Sequence, residues 1–147
     1  MNDPREAARA VRGRLVRTLD DSATVNRLRR PSGTRRETFS AIYENAAWGS
    51  TESGSGAGSE LRATEVIRKK LSELLRRRGI TSLLDAPCGD WNWMQHVDLA
   101  GVRYSGVDIV PAVIAANKAR FERDGVSFAA ADLTQDELPP AEAVLCR

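Results

Sequence analysis

Apolar and polar positions along the chain follow two patterns, one typical of buried strands and one typical of helices. Four short apolar runs have the length of strands: 82–86, 102–107, 126–130 and 141–146. Three segments carry apolar residues at the three-to-four-residue spacing of helices: 61–78, 91–99 and 111–123. Because strands and helices alternate along the second half of the chain, the pattern predicts an α/β fold with a parallel sheet covered by helices.

Residues that favour helix ends mark the boundaries of two of these helices. Ser59 is a suitable N-cap for the segment 61–78, and Gly79 suits the left-handed position that ends a helix. Pro111 fits the first turn of the next helix, and the Asp-Gly pair at 124–125 is expected to end it. Both helices are expected to pack on the sheet through their apolar faces.

Charge divides the chain into a basic front and a mildly acidic remainder. The net charge is only +2, yet residues 1–36 carry ten arginines and four acidic residues. The apolar positions of this segment have helical spacing: Ala8, Val11, Leu15 and Leu19. We predict a basic arm and linker at 1–36 and a folded domain at 37–147. The favoured interpretation of the arm is a solvated or domain-packed extension, and contact with nucleic acid or anionic lipid is the alternative.

Carboxylates follow the first three predicted strands, at the end where parallel strands open a ligand crevice. They are Asp85, Asp108 and Asp132. The first is followed by a tight turn through Pro87 and Gly89, where backbone N–H groups and the start of the next helix are expected to leave room for a ligand. Asp108 lies nineteen residues after Gly89, close to the separation of about 20 at which dinucleotide sites place an acid for the ribose hydroxyls. The spacing favours a ribose-binding role for Asp108 over a helix cap.

The segment 85–94, Asp-Ala-Pro-Cys-Gly-Asp-Trp-Asn-Trp-Met, resembles motif I of the class I S-adenosylmethionine-dependent methyltransferases, in the form found in a bacterial subgroup. The usual motif is acid-x-Gly-x-Gly-x-Gly, and Pro87 and Trp91 stand at two of its glycine positions. The resemblance implies a Rossmann-like parallel sheet with flanking helices and S-adenosylmethionine as the cofactor. It also implies further strands and a substrate-handling loop beyond 141–146. We therefore expect the N-terminal half of a methyltransferase, truncated after the fourth strand, and whether this chain is active alone is open.

Two features separate this family from NAD-binding proteins of the same fold. The turn lacks Gly-x-Gly-x-x-Gly, and the third strand is followed by an acid that dinucleotide sites do not need. In the methyltransferases that acid accepts a hydrogen bond from the adenine amino group, and the next backbone N–H meets a ring nitrogen; the resemblance implies these roles for Asp132 and Leu133. The cofactor-binding residues implied are Asp85, Ala86, Pro87, Cys88, Gly89, Asp90, Trp91, Asp108, Ile109, Asp132, Leu133 and Cys146.

A loop of small residues at 49–59 precedes the first long helix. Its composition alone is typical of a flexible linker. An aromatic residue stands directly before it and a helix directly after it, and the methyltransferase subgroup carries a similar segment. These features favour a lid or cradle beside the cofactor, whose nearest residues are expected to be Trp48, Ser53, Gly54 and Ser55.

Few residues of the sequence suggest a disulfide, a metal site or a catalytic base. The two cysteines, Cys88 and Cys146, are too few for a disulfide framework and lack metal-binding spacing, so no metal site is predicted. His96 is the only histidine and is interpreted as a surface or packing residue. No residue can be named as a catalytic base, and the sequence predicts neither the methyl acceptor nor the oligomeric state.

The sequence also bears on location and on an alternative function. No apolar stretch approaches the roughly 20 residues of a membrane span, and the first residues lack the apolar core of a secretory signal, so we expect a cytoplasmic protein. The alternative to an enzyme is a non-catalytic nucleotide-binding or interaction module whose basic arm contacts nucleic acid. A salt-dependent nucleic-acid affinity that is lost on deletion of 1–36 would favour that alternative.

Overall fold

A four-stranded parallel sheet lies at the centre of the computed structural model, which describes residues 33–147. Its strands are β1 (Ser82–Asp85), β2 (Arg103–Asp108), β3 (Val126–Ala130) and β4 (Ala143–Leu145). The helices are α1 (Arg35–Glu44), α2 (Glu65–Arg78) and α3 (Pro111–Phe121), and 3-10 turns span Ala57–Ser59 and Met94–His96. The prediction of an α/β fold with a Rossmann-like parallel sheet and flanking helices is confirmed.

Most of the predicted basic arm cannot be compared with the structure. Outside the described residues lie the apolar positions predicted for its helix: Ala8, Val11, Leu15 and Leu19. The described part begins just before α1. Arg35 and Arg36, the last two residues of the segment predicted as a linker, belong to this helix.

The strand order β3-β2-β1-β4 reverses direction at β1. The chain moves outward from β1 through β2 to β3, and then crosses to the other side of β1 to form β4. Asp85, the last residue of β1, is therefore paired in register with Gly106 on one side and Leu145 on the other. In open α/β sheets ligands bind beyond the carboxyl ends of the strands at such a reversal, so the topology predicts a site next to Asp85.

Side chains on the two faces of the sheet form two apolar clusters, as expected of a parallel sheet that is covered on both sides. The larger cluster contains a group of aromatic rings. The Trp91 ring centroid lies 5.6 Å from that of Tyr104 and 5.5 Å from that of Phe128, both in edge-on arrangements. The smaller cluster includes Leu84 and Val107.

The helix predicted at 91–99 is wrong. In its place the structure has the single 3-10 turn at Met94–His96. Trp91 has a φ of +60°, a left-handed conformation that is incompatible with the first turn of an α-helix. Its side chain is 1% exposed in the aromatic group. The apolar residues that suggested a helix therefore fill the core from an irregular segment.

α2 begins at Glu65, four residues later than predicted, and Ser59 is not its N-cap. Ser59 ends a 3-10 turn instead. The Leu61 amide, which a serine at this position could cap, donates to the Glu52 carboxylate at 2.6 Å. Glu52 thus binds the amide that Ser59 was expected to cap, and the chain turns again before α2 starts after Thr64, which makes no side-chain cap hydrogen bond.

The other element ends agree more closely with prediction. α2 ends as predicted, with Gly79 in the left-handed conformation at a φ of +64°. α3 ends at Phe121 rather than 123, because Arg123 and Val126 exchange backbone hydrogen bonds in a tight turn. β4 is limited to its three central residues, Ala143–Leu145, and β3 has the predicted bounds.

None of the three helices in the described part of the chain has the combination of length and apolar character that crossing a membrane requires.

The aromatic group leaves no space for a side chain at Gly106. A Cβ built there would lie 2.7 Å from Cδ1 of Phe128 and 3.0 Å from Cε1 of Tyr104. We expect Gly106→Ala to lower the free energy of unfolding by about 1–3 kcal/mol, the usual cost of overpacking a core. At Gly58 a Cβ meets only ordinary contact at 3.8 Å, so Gly58→Ala is the matched control. Urea denaturation checks both, and equal free energies of unfolding for Gly106→Ala and wild type would contradict this packing.

Candidate functional site

A cavity of about 470 Å³ opens at the carboxyl ends of the strands. Most of the predicted site residues line it: Trp48, Ser55, Asp85, Pro87, Cys88, Gly89, Asp90, Asp108, Ile109, Asp132 and Leu133. The carboxylates that follow three successive strands thus face a single space. This convergence follows from the parallel sheet, which brings the ends of β1, β2 and β3 to one edge.

Five predicted site residues do not line the cavity: Ala86, Trp91, Cys146, Ser53 and Gly54. Ala86 and Trp91 are each 1% exposed and belong to the two apolar clusters. Cys146 follows β4 and is exposed. Ser53 and Gly54 contact the cavity wall from behind, through the Asp90 carboxylate.

The backbone amides of the turn after β1 are occupied by protein acceptors. Pro87 has no N–H to offer. The next three amides donate as follows: Cys88 to the Val107 carbonyl at 2.8 Å, Gly89 to Asp108 Oδ2 at 3.0 Å, and Asp90 to Ser55 Oγ at 3.0 Å. No helix follows the turn either. The sequence predicts that free backbone N–H groups and the start of a helix are available to a ligand at this turn. That prediction is wrong for residues 87–90.

Asp108 is held at the end of β2 by two backbone amides. Its Oδ2 accepts from Gly89 and its Oδ1 accepts from Val110, both at 3.0 Å. The residue is 4% exposed, and burial raises the pKa of its carboxyl group while these hydrogen bonds oppose the rise. Because each carboxylate oxygen has two lone pairs, both oxygens retain capacity to accept from a ligand.

Asp85 ends β1 and is buried against Tyr104. The tyrosine hydroxyl donates to Asp85 Oδ2 at 2.6 Å. Burial raises the pKa of Asp85 to about 7, and the Tyr104 hydrogen bond only partly opposes this rise. The Asp108 carboxylate raises the pKa further, and Arg147 lowers it. A cationic ligand group beside Asp85 would favour the ionised carboxylate in the same way as Arg147.

Asp132 follows β3 and is more accessible than the other two acids. Its Oδ1 accepts from the backbone N–H and the hydroxyl of Thr134, at 3.0 and 2.8 Å, and its Oδ2 pairs with Arg35 at 3.1 Å. The Thr134 hydrogen bonds, together with Arg35 and Arg36, hold the pKa of Asp132 below its ordinary value. The carboxylate is thus ionised and oriented toward the cavity from the β3 end.

The Asp90 carboxylate binds the small-residue loop rather than leaving its oxygens free. Ser53 Oγ donates to it at 3.0 Å, the Gly54 amide at 2.8 Å and Ser55 Oγ at 3.1 Å. The Ser55 hydroxyl is in turn hydrogen bonded to the Tyr43 hydroxyl at 2.7 Å. Asp90 therefore fixes the loop against the turn after β1, and Ser55 is the loop residue that reaches the cavity.

Several aromatic side chains complete the cavity wall. Trp48 packs edge-on against Tyr43, with ring centroids 4.9 Å apart, and lies 6.4 Å from the Phe39 ring. On the opposite side, Arg147 lies over the Trp93 ring at 5.5 Å and donates to the Gly58 carbonyl. Phe39, Tyr43, Trp93 and Arg147 all line the cavity.

Two buried residues that support the site were not predicted. Asn117, on α3, is 2% exposed and donates to the Gly89 carbonyl at 2.8 Å. Tyr104 holds Asp85 from β2. Asn117 could have been found from the sequence, because it stands three positions after the inward-facing Ile114 and so lies on the buried face of the helix. A polar residue on a buried face usually has a hydrogen-bond partner. The Tyr104 contact had no local signal, since it joins two strands.

The two cysteines differ in environment. Cys88 is buried beside Asn117, and burial raises the pKa of its thiol. Cys146 is exposed. Among residues 33–147, no group of three or more His, Cys, Asp or Glu side chains is arranged to hold a metal ion.

Comparison with known proteins gives matches among solved structures alone. No family model matches the chain, and no curated protein matches it. Among solved structures, the chain is similar to human N-acetylserotonin methyltransferase in complex with SAM, with 17% sequence identity and a TM-score of 0.40. The similarity covers 71% of this chain and 34% of that chain. This chain thus spans about a third of the length of the methyltransferase that it matches.

The role of Asp90 in holding the loop is testable by proteolysis. Removing its charge-assisted hydrogen bonds, each worth about 1.5–3 kcal/mol, should release the loop without removing the core. We expect Asp90→Ala to raise the rate of cleavage after Glu52 by a glutamate-specific protease about tenfold, and Asp90→Asn to raise it less. Asp98→Ala is the control, because Asp98 accepts only a surface backbone hydrogen bond from Ala100. Unchanged cleavage in Asp90→Ala would refute the role.

The raised pKa of Asp85 makes stability depend on pH. The folded protein keeps the Asp85 proton up to about pH 7, whereas the unfolded chain loses it near the ordinary value of 3.8. The contribution to stability is complete below pH 4 and is lost as the pH rises toward 7. A pKa raised from 3.8 to about 7 corresponds to about 4 kcal/mol, so we expect Asp85→Asn to be more stable than wild type at pH 8 by about that amount, and the difference to shrink toward pH 4. Urea denaturation at both pH values measures it, and a gap independent of pH would contradict the burial of this acid.

Proposed function

We propose that this chain is the cofactor-binding part of an S-adenosylmethionine-dependent methyltransferase. The observation that carries the proposal is the convergence of Asp85, Asp108 and Asp132 on one cavity, with Gly89 at the turn after β1. S-Adenosylmethionine presents hydrogen-bond donors at three separated points: an ammonium group, a ribose diol and an adenine amino group. Three acceptors in series match these three donors.

Each of the three carboxylates suits a different part of the cofactor. Asp108 retains accepting capacity on both oxygens, which suits the two hydroxyls of a ribose. Buried Asp85 would gain from a neighbouring ammonium, because a positive group favours its ionised form. Asp132 is oriented by Thr134, and its oxygens can still accept a hydrogen bond from an exocyclic amine. Leu133 lines the cavity next to it.

The occupied amides argue against a dinucleotide at the same place. A pyrophosphate needs free backbone N–H groups and the positive end of a helix. The amides of Cys88, Gly89 and Asp90 already have protein acceptors, and residues 91–99 contain only a 3-10 turn. The cavity is also lined by the carboxylates of Asp90 and Asp132, which repel an anion. A ligand with a cationic sulfonium and an ammonium fits this electrostatic environment better.

When bound, the cofactor supplies the activated methyl group, and the protein supplies binding and alignment. In this proposal the chain's own residues orient the nucleoside through Asp108 and Asp132 and hold the amino acid part near Asp85. The Asp90-bound loop would cover the turn and exclude water from it. The methyl acceptor is assigned no residue here.

Titration calorimetry with S-adenosylhomocysteine tests the proposal. We expect binding to the wild-type chain, weakened about 5- to 150-fold in Asp108→Ala, because the loss leaves polar groups unpaired at a cost of about 1–3 kcal/mol. Asp124→Ala, an exposed acid outside the cavity, should bind like wild type, and NAD should not bind.

Asp108→Ala also removes the acceptor of two backbone amides, so its folding is checked by circular dichroism. Asp132→Asn, which alters an accessible acid, gives a second measurement in case the first variant unfolds. Well-folded wild-type chain that gives no heat with S-adenosylhomocysteine would refute the proposal.

A further inference from the structure

α1 presents a row of side chains to the cavity without burying any of them fully. Arg35, Phe39 and Tyr43 recur every fourth residue and therefore lie on one face of the helix. All three line the cavity. Phe39 is 38% exposed, and Trp48, which follows the helix and contacts both aromatic rings, is 39% exposed. An aromatic face directed at an open cavity is unusual for a soluble domain unless something covers it.

The two ends of this face are tied to two different loops of the site. At one end Arg35 pairs with Asp132 at 3.1 Å. At the other, Tyr43 is hydrogen bonded to Ser55 at 2.7 Å, and its hydroxyl would lie 3.3 Å from a Cβ at Gly89. The two ends are about 12 Å apart, since a helix rises about 1.5 Å per residue.

Phe39 lies midway between these ends. It is therefore above the part of the cavity that separates the acid after β3 from the turn after β1. Ile109 and Leu133 line the same cavity from the sheet side. The space between Phe39 and these aliphatic side chains has apolar walls, and carboxylates line the same cavity. Such an environment suits a flat ring that carries polar groups on its rim.

We propose that the aromatic face of α1 is the cover of a purine-binding subsite, in which Phe39 stacks on the adenine ring of the bound cofactor. This inference rests on the proposed function. It assigns to α1 a direct contact with the ligand, in addition to the contacts from the three strand ends. Trp48 and Tyr43 support the Phe39 ring and close the ribose side of the subsite.

The position of Phe39 favours the purine over the methyl acceptor as its ligand. The acceptor must reach the sulfonium, which in the proposed arrangement is near Asp85. The residues beside that end of the cavity are Arg147, whose charge acts on Asp85, and Trp93, over which the guanidinium lies. Phe39 lies one helical turn from Arg35, the partner of Asp132, so a ring held at Asp132 is within its reach.

Comparison of two ligands identifies the contact. The affinity of S-adenosylhomocysteine is measured by calorimetry and that of adenosine by competition against it, for the full chain and for Phe39→Ala. Stacking of a base on an aromatic side chain predicts a loss of about tenfold to a hundredfold. Because the contact is to the base alone, the loss should be the same factor for both ligands.

Leu74→Ala is the matched control, since Leu74 is 40% exposed on α2 and does not line the cavity; it should bind both ligands like wild type. Phe39→Leu keeps an apolar side chain without the aromatic ring, and it gives a second measurement if Phe39→Ala is unfolded by circular dichroism. It should also weaken both ligands.

The outcomes separate this inference from the proposed function. If the wild-type chain binds both ligands and Phe39→Ala and Phe39→Leu bind them with the same affinity, the stacking is overturned and cofactor binding stands. If Phe39→Ala weakens the affinity for S-adenosylhomocysteine but not that for adenosine, Phe39 contacts the homocysteine part or lies near the acceptor. That result would also overturn the stacking. A folded wild-type chain that binds neither ligand would refute the proposed function itself, and the inference with it.

Discussion

The hydrogen bond from the Gly89 amide to Asp108 holds together two parts of the cavity wall. It joins the turn after β1 to the end of β2 at 3.0 Å, and the Gly89 carbonyl is bound from the other side by Asn117. Both backbone polar groups of Gly89 thus have buried side-chain partners. Gly89 itself has a φ of +57°, a conformation that a glycine adopts without strain, and a Cβ there would collide with the Ser55 hydroxyl.

Much of the cavity follows from this constraint. With the Gly89 peptide fixed, the next residue directs its carboxylate away from the sheet and toward the loop of residues 53–55. That loop brings Ser55 to Tyr43, and so connects α1 to the strand ends. The same acid that a motif comparison would assign to the cofactor is thus used to assemble the wall of the site. Electrostatically the result is a cavity with several acids and with arginines at its edges, Arg35 and Arg147.

The strands could be predicted because buried parallel strands are continuous apolar runs, and their ends were marked by Asp85, Asp108 and Asp132. Parallel pairing then brings such ends together without further information. The helix after β1 could not be excluded from the sequence, because its apolar residues have helical spacing. Only the tertiary position of Trp91, whose ring fits between Tyr104 and Phe128, requires the left-handed backbone that prevents it.

Side-chain roles that depend on distant partners were the least predictable. An acid at position 90 is visible in the sequence, but its partners lie 35 to 37 residues earlier. The prediction of Ser59 as the N-cap of α2 failed for a similar reason, since the Leu61 amide donates to Glu52, nine residues earlier, and the helix begins only at Glu65. By contrast, the placement of the carboxylates at the strand ends depends only on the sheet, and the structure brings all three to one cavity as parallel pairing predicts.

The contrast between the two cysteines has a practical consequence for spectroscopy. The Cys88 thiol is buried and its pKa is raised, whereas Cys146 is exposed and precedes Arg147, which lines the cavity. Thiolates rather than thiols react with maleimides and similar reagents. A fluorophore or spin label would therefore attach at the exposed Cys146, next in sequence to a residue of the cavity wall, without any prior removal of native cysteines.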